Sequence, residues 1–430
     1  MPSRSPGVVA ATLLLTACAV STPRTAPAPE TSAGMSAALR IVDRYRVAAI
    51  THRRLTHANY WGAVAPSLAS PRLRAEEVGR SMHGRELRTV TFGSGSTPVL
   101  LWSQMHGDES TATMALADVL AWLAAPGSDA LRDRLAGALT VTMLPMLNPD
   151  GAELFQRENA AGIDVNRDAR LLSTPEARAL KSVHQRLKPA FGFNLHDQSA
   201  RTRVGRSGLQ AGIALLAPAA DAERSWGPVR SRARLVAATL AQNLGSQIAG
   251  RVAKYDDAFN PRAFGDLMQT WGTSTVLIES GALPDDPQKQ ALRRLNAAAI
   301  ISVLDAIATG AFERANADDY ERLPVNTGGA YDLLLRGGSL VLPGMPPLRA
   351  DVAINFDDAV ARTGGRVREV GDLTAVIAID TVNASNGFLH PRAEALAGSG
   401  PGRWLTIGAR AAIDLREGAG SESKLLRSFQ

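Results

Sequence analysis

The sequence predicts an α/β fold: a three-layer α/β/α sandwich around a mixed, mostly parallel sheet, with a small β-module at the C-terminal end. Apolar runs of strand length alternate with stretches of helical periodicity between residues 78 and 309, which is the pattern of parallel strands joined by helices. From about residue 326 the chain is instead strand-rich and punctuated by glycines. A chain of 430 residues has room for one large domain of about 270 residues and a smaller module.

The elements of the sandwich are predicted from periodicity and turn signals. Residues 78–95 have alternating side chains and glycines at the turns, which is typical of a β-hairpin. Asn-Pro-Asp-Gly at positions 148–151 predicts a turn, and Ser173 or Thr174 is the predicted cap of the helix that follows. Strands are predicted at 99–103, 138–147, 190–195, 212–218 and 274–279, and helices at 111–123, 174–187, 229–248 and 287–309.

The N-terminus resembles a bacterial lipoprotein signal. A basic start precedes an apolar stretch too short to span a bilayer, and Leu-Thr-Ala-Cys at positions 15–18 has the form of a lipobox. Cys18 is the one cysteine of the sequence, so it has no disulfide partner within the chain. The resemblance implies a signal over residues 1–18, lipidation of Cys18 and a flexible tether over residues 19–38. Ala19 implies a lipid-anchored protein of the outer membrane, facing the periplasm or the exterior; the alternative is an ordinary secretory signal.

The net charge does not indicate nucleic-acid binding. The chain carries a formal charge of +6, and its basic residues are nearly all arginines scattered among alanines and glycines. Aromatic residues make up 5% of the chain, and no basic stretch is interleaved with them. We interpret the arginine content as a compositional bias, with nucleic acid excluded as a partner.

His106 and Glu109 form a His-x-x-Glu pair at the predicted end of an apolar strand. The carboxyl ends of strands open into the crevice of an α/β sheet, so a nitrogen and a carboxylate three residues apart can converge there on one zinc ion. His196, after another strand, is the predicted third ligand. The other histidines are predicted to lie elsewhere: His184 on the exposed side of a helix, His52 and His57 in an N-terminal helix, His83 in the hairpin turn and His390 in the C-terminal module.

Several further motifs follow His106 and Glu109 along the chain. They are Asn-Pro-Asp-Gly at 148–151, Arg-Glu-Asn-Ala-Ala-Gly-Ile-Asp-Val-Asn-Arg-Asp at 157–168, Asn-Leu-His-Asp around His196 and Ile-Glu-Ser-Gly around Glu279. Together they resemble the zinc metallocarboxypeptidases of the carboxypeptidase A type, over residues 78–281. The resemblance implies an eight-stranded sandwich that binds one zinc ion per chain through His106, Glu109 and His196.

The resemblance also implies roles for residues around the metal. Asp164 accepts a hydrogen bond from His106, Glu279 is the general base, and Arg157 polarises the scissile carbonyl. Asn166 and Arg167 bind the terminal carboxylate of the substrate, Tyr255 caps the bound substrate, and residues 264–269 build the side-chain pocket. Asp108 and Asp197 depart from the family pattern and are expected to place negative charge near the subsites before the scissile bond.

The predicted organisation is a catalytic domain at 39–312, a linker at 313–325, a small β-domain at 326–418 and a tail at 419–430. The C-terminal module resembles the β-sandwich of amidohydrolases such as D-aminoacylases, but the His-x-His metal motif of those enzymes is absent from the sequence. A packing or substrate-positioning role is therefore expected for it.

The expected function is that of a zinc exopeptidase of the cell envelope, which hydrolyses the C-terminal bond of peptides or peptidoglycan-derived peptides. The same zinc site would also suit a peptidoglycan stem-peptide amidase or an N-acyl amino acid deacylase. An inactive binding lipoprotein is the alternative from a different class.

Overall fold

The computed structural model describes residues 32–399 and 402–430, so the predicted signal and Cys18 lie outside the described residues. The helices are α1 (Ala33–Tyr45), α2 (His57–Leu68), α3 (Thr111–Ala124), α4 (Ala130–Ala138), α5 (Pro149–Leu154), α6 (Pro175–Leu187), α7 (Pro228–Gly245), α8 (Phe264–Thr270), α9 (Gln290–Ala308) and α10 (Asp318–Glu321). The strands of the N-terminal part are β1 (Leu73–Arg80), β2 (Glu86–Phe92), β3 (Thr97–Ser103), β4 (Leu139–Leu144), β5 (Phe191–Asp197), β6 (Arg203–Val204), β7 (Ile213–Leu216), β8 (Val252–Lys254) and β9 (Ser274–Ser280).

The main sheet has eight strands in the order β1-β2-β4-β3-β5-β9-β7-β8. The four central strands β4, β3, β5 and β9 run parallel, while β1 and β2 pair antiparallel with each other and β7 pairs antiparallel with β9. The mixed, mostly parallel sheet predicted from the sequence is thereby confirmed. Because the central strands are parallel, their carboxyl ends meet at one edge of the sheet.

The two faces of the sheet bury alternate residues of the same strand. On β3, Val99 and Leu101 belong to the core shared with α1, α3 and α9, whereas Leu100 and Trp102 belong to the core shared with α6 and α8. All four side chains are fully buried. A strand that is apolar at every position is therefore covered by helices on both sides, which is the predicted three-layer arrangement.

The C-terminal part forms a separate β-rich region, as predicted. Its strands are β10 (Asn326–Thr327), β11 (Tyr331–Leu340), β12 (Leu348–Asp358), β13 (Thr363–Gly371), β14 (Ala378–Asn383), β15 (Phe388–Pro391), β16 (Leu396–Ala397), β17 (Trp404–Leu405), β18 (Ile413–Arg416) and β19 (Leu425–Phe429). A seven-stranded sheet follows the order β13-β12-β11-β15-β18-β19, with β14 beside β11. Its buried side chains form a core of their own.

Three predicted segment boundaries were wrong. The tether at 19–38 overlaps α1, whose residues Met35 and Ala38 are fully buried because the helix presents an apolar face to the main core. The linker at 313–325 contains Tyr320, which is 1% exposed and accepts a hydrogen bond from the backbone of Ala217. The tail at 419–430 contains β19, which pairs with β18 and completes the C-terminal sheet.

Two local predictions need correction as well. The turn predicted at Asn-Pro-Asp-Gly is the start of α5, because Asn148 caps the helix through its side chain and proline is favoured in the first turn. His52 lies outside a helix, and His57 begins α2. Within residues 32–399 and 402–430, no helix has both the length and the apolar character needed to cross a membrane.

The prediction that His184 is exposed was wrong. His184 is only 6% exposed. Its Nε2 atom lies 3.0 Å from the hydroxyl of Thr273, and that hydroxyl donates to the carbonyl oxygen of Pro189. The Nε2–H group therefore donates to Thr273, and Nδ1 is buried without a partner among the described residues. A second ring proton would have no acceptor, and this burial lowers the pKa of His184 to about 4.

His184 should make the protein sensitive to acid. Its folded pKa lies below the ordinary value of about 6.5, so between these values the unfolded chain binds a proton that the folded protein does not. Stability is therefore lost as the pH falls from 6.5 towards 4, by on the order of 1–2 kcal/mol from this group. His184→Gln keeps a donor for Thr273, and we expect it to reduce this loss. Urea unfolding of both proteins at pH 7 and pH 4.5 measures the difference; an identical pH dependence would contradict the assignment.

Candidate active site

The loop that carries His106 and Glu109 is held by buried backbone contacts at the carboxyl end of β3. The side-chain amide of Asn148 donates to the carbonyl oxygens of Met105 and Arg157, both at 3.3 Å. A Cβ atom on Gly107 would lie 2.0 Å from the backbone of Gly151, so only glycine permits this close approach of the loop to α5. The Asn-Pro-Asp-Gly motif thus positions the loop, a role for Asn148 that the sequence analysis did not assign.

His196 and Glu279 are brought together by the register of the sheet. They are directly paired residues on the parallel strands β5 and β9. Paired residues on neighbouring strands direct their side chains to the same face, and strands in a sheet are about 4.8 Å apart. The two residues are 83 positions apart in the sequence (279 − 196). The pairing of β5 with β9 nevertheless brings both side chains beside the loop that carries His106.

Three donor groups converge at this point: His106, Glu109 and His196, all buried, with one ligand atom from each within 4.8 Å of the others. Nδ1 of His106 is 2.8 Å from Oε1 of Glu109, and Nδ1 of His196 is 2.7 Å from Oε2 of Glu109. The two Nδ1 atoms are 3.2 Å apart. Ligands of one tetrahedral zinc ion, each about 2 Å from it, lie roughly 3.3 Å from one another. The donor set therefore fits zinc.

Asp164 orients His106. Its Oδ1 lies 3.0 Å from Nε2 of His106, so this carboxylate accepts the Nε2 proton and leaves Nδ1 free as a ligand atom. The other carboxylate oxygen accepts two hydrogen bonds from Arg157, at 2.9 and 3.1 Å. Arg157 also lies 3.2 Å from Oε1 of Glu109. Asp164 thus holds the guanidinium against the cluster of donor groups.

The electrostatics of the cluster favour a bound cation. Burial raises the pKa of Glu109, but the two histidines more than reverse this effect and hold the pKa well below its usual range. Burial keeps the pKa of His196 below its usual value. For His106 the carboxylates of Glu109 and Asp164 outweigh burial and raise the pKa to about 9. The carboxylates therefore draw positive charge to this point, which a divalent cation supplies.

Glu279 is buried, but its carboxylate makes no hydrogen bond to any of the described residues. The residue is 8% exposed and lines the same cleft as the three donors. Burial, reinforced by the nearby carboxylates of Glu109 and Asp197, raises its pKa well above the usual value. A carboxylate with a raised pKa that faces a cleft is suited to accept and return a proton.

The cleft has a volume of about 550 Å³ and contains the remaining predicted residues Asn166, Arg167 and Tyr255. Asn166 and Arg167 lie on a 3-10 helix (Val165–Arg167), and the Oδ1 atom of Asn166 accepts a hydrogen bond from the backbone of Phe264. Arg167 is exposed, and no carboxylate pairs with it in the part of the chain that the structure describes. Its guanidinium is therefore free to bind a substrate carboxylate.

Tyr255 is half-buried in the wall of this cleft. The nearby carboxylate of Glu279, followed by burial, raises its pKa to about 12. The phenol is therefore neutral and can donate a hydrogen bond at neutral pH. The structure thus places Tyr255 in the same cleft as the metal-binding residues.

The predicted pocket segment, residues 264–269, contributes Gly265 and Asp266 to the lining of the cleft. Burial raises the pKa of the Asp266 carboxyl to about 6. Asn194 on β5 also lines the cleft, and its Oδ1 is buried without a hydrogen-bond partner among the described residues. Asn194 is two positions before His196, so its side chain is on the same face of the strand; that spacing was the one sequence signal for it.

The expectation for Asp197 was wrong in one respect. Its carboxylate is buried and bonded to the ammonium of Lys289 at 2.9 Å and to the hydroxyl of Thr111 at 2.6 Å. Its charge is therefore neutralised within the protein and is not presented freely to a substrate. Asp108, in contrast, lines a neighbouring cleft, and its Oδ1 has no partner among the described residues. Lys289 was missed because a lysine far along the chain carries no local signal for this contact.

The comparisons with known proteins agree with this geometry. The zinc carboxypeptidase family, Peptidase_M14, matches residues 65–201. This part of the chain, about a third of it, is therefore similar to zinc carboxypeptidases. The family match contains His106, Glu109 and His196 but ends before Glu279, which the sheet register brings to the donors.

Relatives with curated names include the "Probable carboxypeptidase 2" of Trichophyton verrucosum, 27% identical over 236 residues, which cover 53% of this chain and 42% of that protein. The "Carboxypeptidase 2" of Trichophyton rubrum is 27% identical over 164 residues, which cover 36% of this chain and 28% of that protein. The chain thus spans less than half the length of these relatives.

Among solved structures, a metallo-carboxypeptidase from Burkholderia cenocepacia is similar, with a TM-score of 0.47 and 21% identity over 60% of this chain and 69% of that one. A metallo-carboxypeptidase from Pseudomonas aeruginosa has a TM-score of 0.45 and 18% identity over 59% of this chain and 68% of that one.

Proposed function

We propose that this protein is a zinc-dependent carboxypeptidase that releases the C-terminal residue of peptides. The observation that carries the proposal is the presence, in one cleft, of the His/Glu/His donor set, the unbonded carboxylate of Glu279 and the unpaired guanidinium of Arg167. The first two groups are what hydrolysis requires, and the third is what an enzyme specific for a free C-terminus requires.

Different residues of the cleft have different roles in hydrolysis. His106, Glu109 and His196 would hold a zinc ion, which would supply Lewis-acid chemistry when bound. Glu279 takes a proton from the attacking water and returns it to the nitrogen of the leaving amine. Arg157, held by Asp164, donates to the scissile carbonyl oxygen as negative charge develops on it, a contact of a kind worth roughly 3 kcal/mol.

Recognition of the substrate depends on the other end of the cleft. Arg167 and the amide of Asn166 bind the terminal carboxylate, and Tyr255 contributes a hydrogen bond over the bound residue. The side chain of the released residue extends towards Asp266 and Asn194. Because the carboxylate of Asp266 offers oxygen acceptors, the site favours a side chain with N–H donors, such as an ammonium or guanidinium group.

The direct test is a mass-spectrometric screen of the zinc-loaded protein against a mixed library of peptides, muropeptides and N-acyl amino acids. We expect loss of single C-terminal residues from free-acid peptides, abolition by a chelator and restoration by zinc. Cleavage of amidated peptides at equal rates, or a preference for N-acyl amino acids or muropeptide amides, would replace the proposal with deacylase or amidase activity. Peptide binding without turnover would support the inactive binding protein.

We also propose that the protein is a lipid-anchored component of the bacterial cell envelope. The support is the lipobox sequence that ends at Cys18. Cys18→Ser should block lipidation and release the protein from the membrane. Detergent-phase partitioning of the full chain and the variant measures this. Membrane association that is unchanged in the variant would contradict the proposal.

A further inference from the structure

We propose that the C-terminal module forms part of the substrate site: a second cleft between it and the catalytic part binds the segment of a peptide on the N-terminal side of the scissile bond, where Arg54 recognises an acidic side chain. This inference rests on the proposed peptidase function and extends it. The catalytic family match, residues 65–201, includes neither Arg54 nor the module.

The second cleft adjoins the first. It has a volume of about 470 Å³ and shares Glu109, Arg157 and Asp197 with the catalytic cleft. Arg167 and Asn166 line only the catalytic cleft. A peptide whose terminal carboxylate lies at Arg167 and whose scissile bond lies at the metal donors therefore continues, at its other end, along the shared residues into the second cleft.

One wall of the second cleft belongs to the C-terminal module. Residues 357–360, at the end of β12 and in the turn after it, form this wall, and Arg53, Arg54 and Phe155 of the catalytic part line the same cleft. The hairpin tip formed by residues 357–362 is thus placed against the active site by the fold of the module. A peptide of four or more residues would lie between the two walls, whereas a blocked dipeptide would not reach them.

Ion pairs hold the module in this position. Arg53 pairs with Asp358 at the hairpin tip. Arg201 donates to Asp332 on β11, at 2.8 and 3.0 Å, and to the backbone oxygen of Phe356 at 2.7 Å. Asn326, the first residue of the module, donates to the side chain of Gln198 at 2.9 Å and lines the catalytic cleft. These contacts fix the module against the catalytic part.

Among the cationic side chains that line the second cleft, Arg54 has no carboxylate partner in the described residues. Arg53 is bonded to Asp358, Lys289 to Asp197, and Arg157 to Asp164. Arg54 is exposed, and within residues 32–399 and 402–430 its one recorded contact is the ring of Phe155, 4.8 Å from the guanidinium carbon. Asp108 lines the same cleft, and its Oδ1 is buried without a hydrogen-bond partner among the described residues. A guanidinium fixed on an aromatic face is a recognition group for a carboxylate.

The first test compares a blocked dipeptide with a hexapeptide that has the same two C-terminal residues. Asp358→Asn removes the charge that Arg53 binds, yet its Oδ1 can still accept from the backbones of Val360 and Ala361 as now. We expect KM for the hexapeptide to rise by roughly three- to tenfold, the effect of one polar contact, with the dipeptide unchanged. Asp380→Asn, which removes an exposed ion pair with Arg362 outside this cleft, is the matched control.

The second test concerns charge. In the Glu279→Gln background, which removes turnover, fluorescence anisotropy compares hexapeptides with Glu or Gln at the second to fourth positions before the scissile bond. At one of these positions, we expect the peptide with Glu to bind more tightly than the peptide with Gln. This preference should be lost in Arg54→Gln.

Ala359→Trp adds bulk to the wall formed by residues 357–360. It should weaken binding of the hexapeptide and leave binding of the dipeptide unchanged.

The outcomes separate this inference from the proposed function. Equal effects of Asp358→Asn on the dipeptide and the hexapeptide, or a Glu preference that persists in Arg54→Gln, would overturn the inference while peptidase activity stands. Absence of dipeptide hydrolysis by the wild-type protein, together with absence of peptide binding, would overturn both.

Discussion

Glu279→Gln is expected to abolish hydrolysis while one zinc ion stays bound. Glutamine keeps the size of the side chain but cannot accept the proton of the attacking water, so the rate should fall by about 10²–10⁴-fold. The three donors His106, Glu109 and His196 are untouched by the change. Turnover of a free-acid peptide and zinc content by atomic absorption, measured on the same preparation, check both halves of the expectation.

The matched variant is His196→Ala, which should remove the metal itself. His196 contributes a donor atom 2.7 Å from Glu109, and two remaining ligands hold zinc much more weakly than three. If Glu279→Gln also lost its zinc, the carboxylate would have to be a ligand and the base would have to be sought elsewhere. If it kept both zinc and full activity, Glu279 would have no part in proton transfer.

Arg167→Ala is expected to remove selectivity for a free C-terminus. The guanidinium can bind both oxygens of a carboxylate, and its loss should lower kcat/KM for free-acid peptides by about 2–4 kcal/mol in transition-state binding. Amidated peptides carry no terminal charge and should be affected much less. The ratio of kcat/KM for a matched acid and amide pair is the measurement.

Arg170→Ala is the control for this change. Arg170 is an exposed arginine three positions further along the chain, and it lines a different cavity from the catalytic cleft. Its replacement should leave the acid-to-amide ratio as in the wild type. An equal loss for acids and amides in Arg167→Ala would mean that Arg167 acts on the structure of the site and does not recognise the carboxylate.

The candidate site could be anticipated where its residues lie in short motifs at strand ends. His106 and Glu109 are three residues apart, and Asp164, Asn166 and Arg167 lie in one segment of four residues. Such groups stay close whatever the rest of the chain does, because loop geometry over a few residues is local. The alternation of strands and helices in the main sheet could also be predicted, because the spacing of apolar residues in each element is visible in the sequence itself.

Other contacts could not be anticipated. His184 was predicted to be exposed because helical periodicity does not show that Trp271 and Thr273 cover that side of α6. Asn194 was not predicted as part of the cleft, and its convergence with Asp266 depends on how α8 packs against the main sheet.

What the sequence alone determined is the order of elements and two local groups of residues, His106 with Glu109 and Asp164 with Asn166 and Arg167, since these depend on short spacings. Only the tertiary structure decided that Lys289 neutralises Asp197 and that the hairpin after β12 lies beside the metal-binding residues. Both contacts join segments about 90 or more positions apart, as in Lys289 to Asp197. They arise from the packing of whole elements, which no local pattern of side chains encodes.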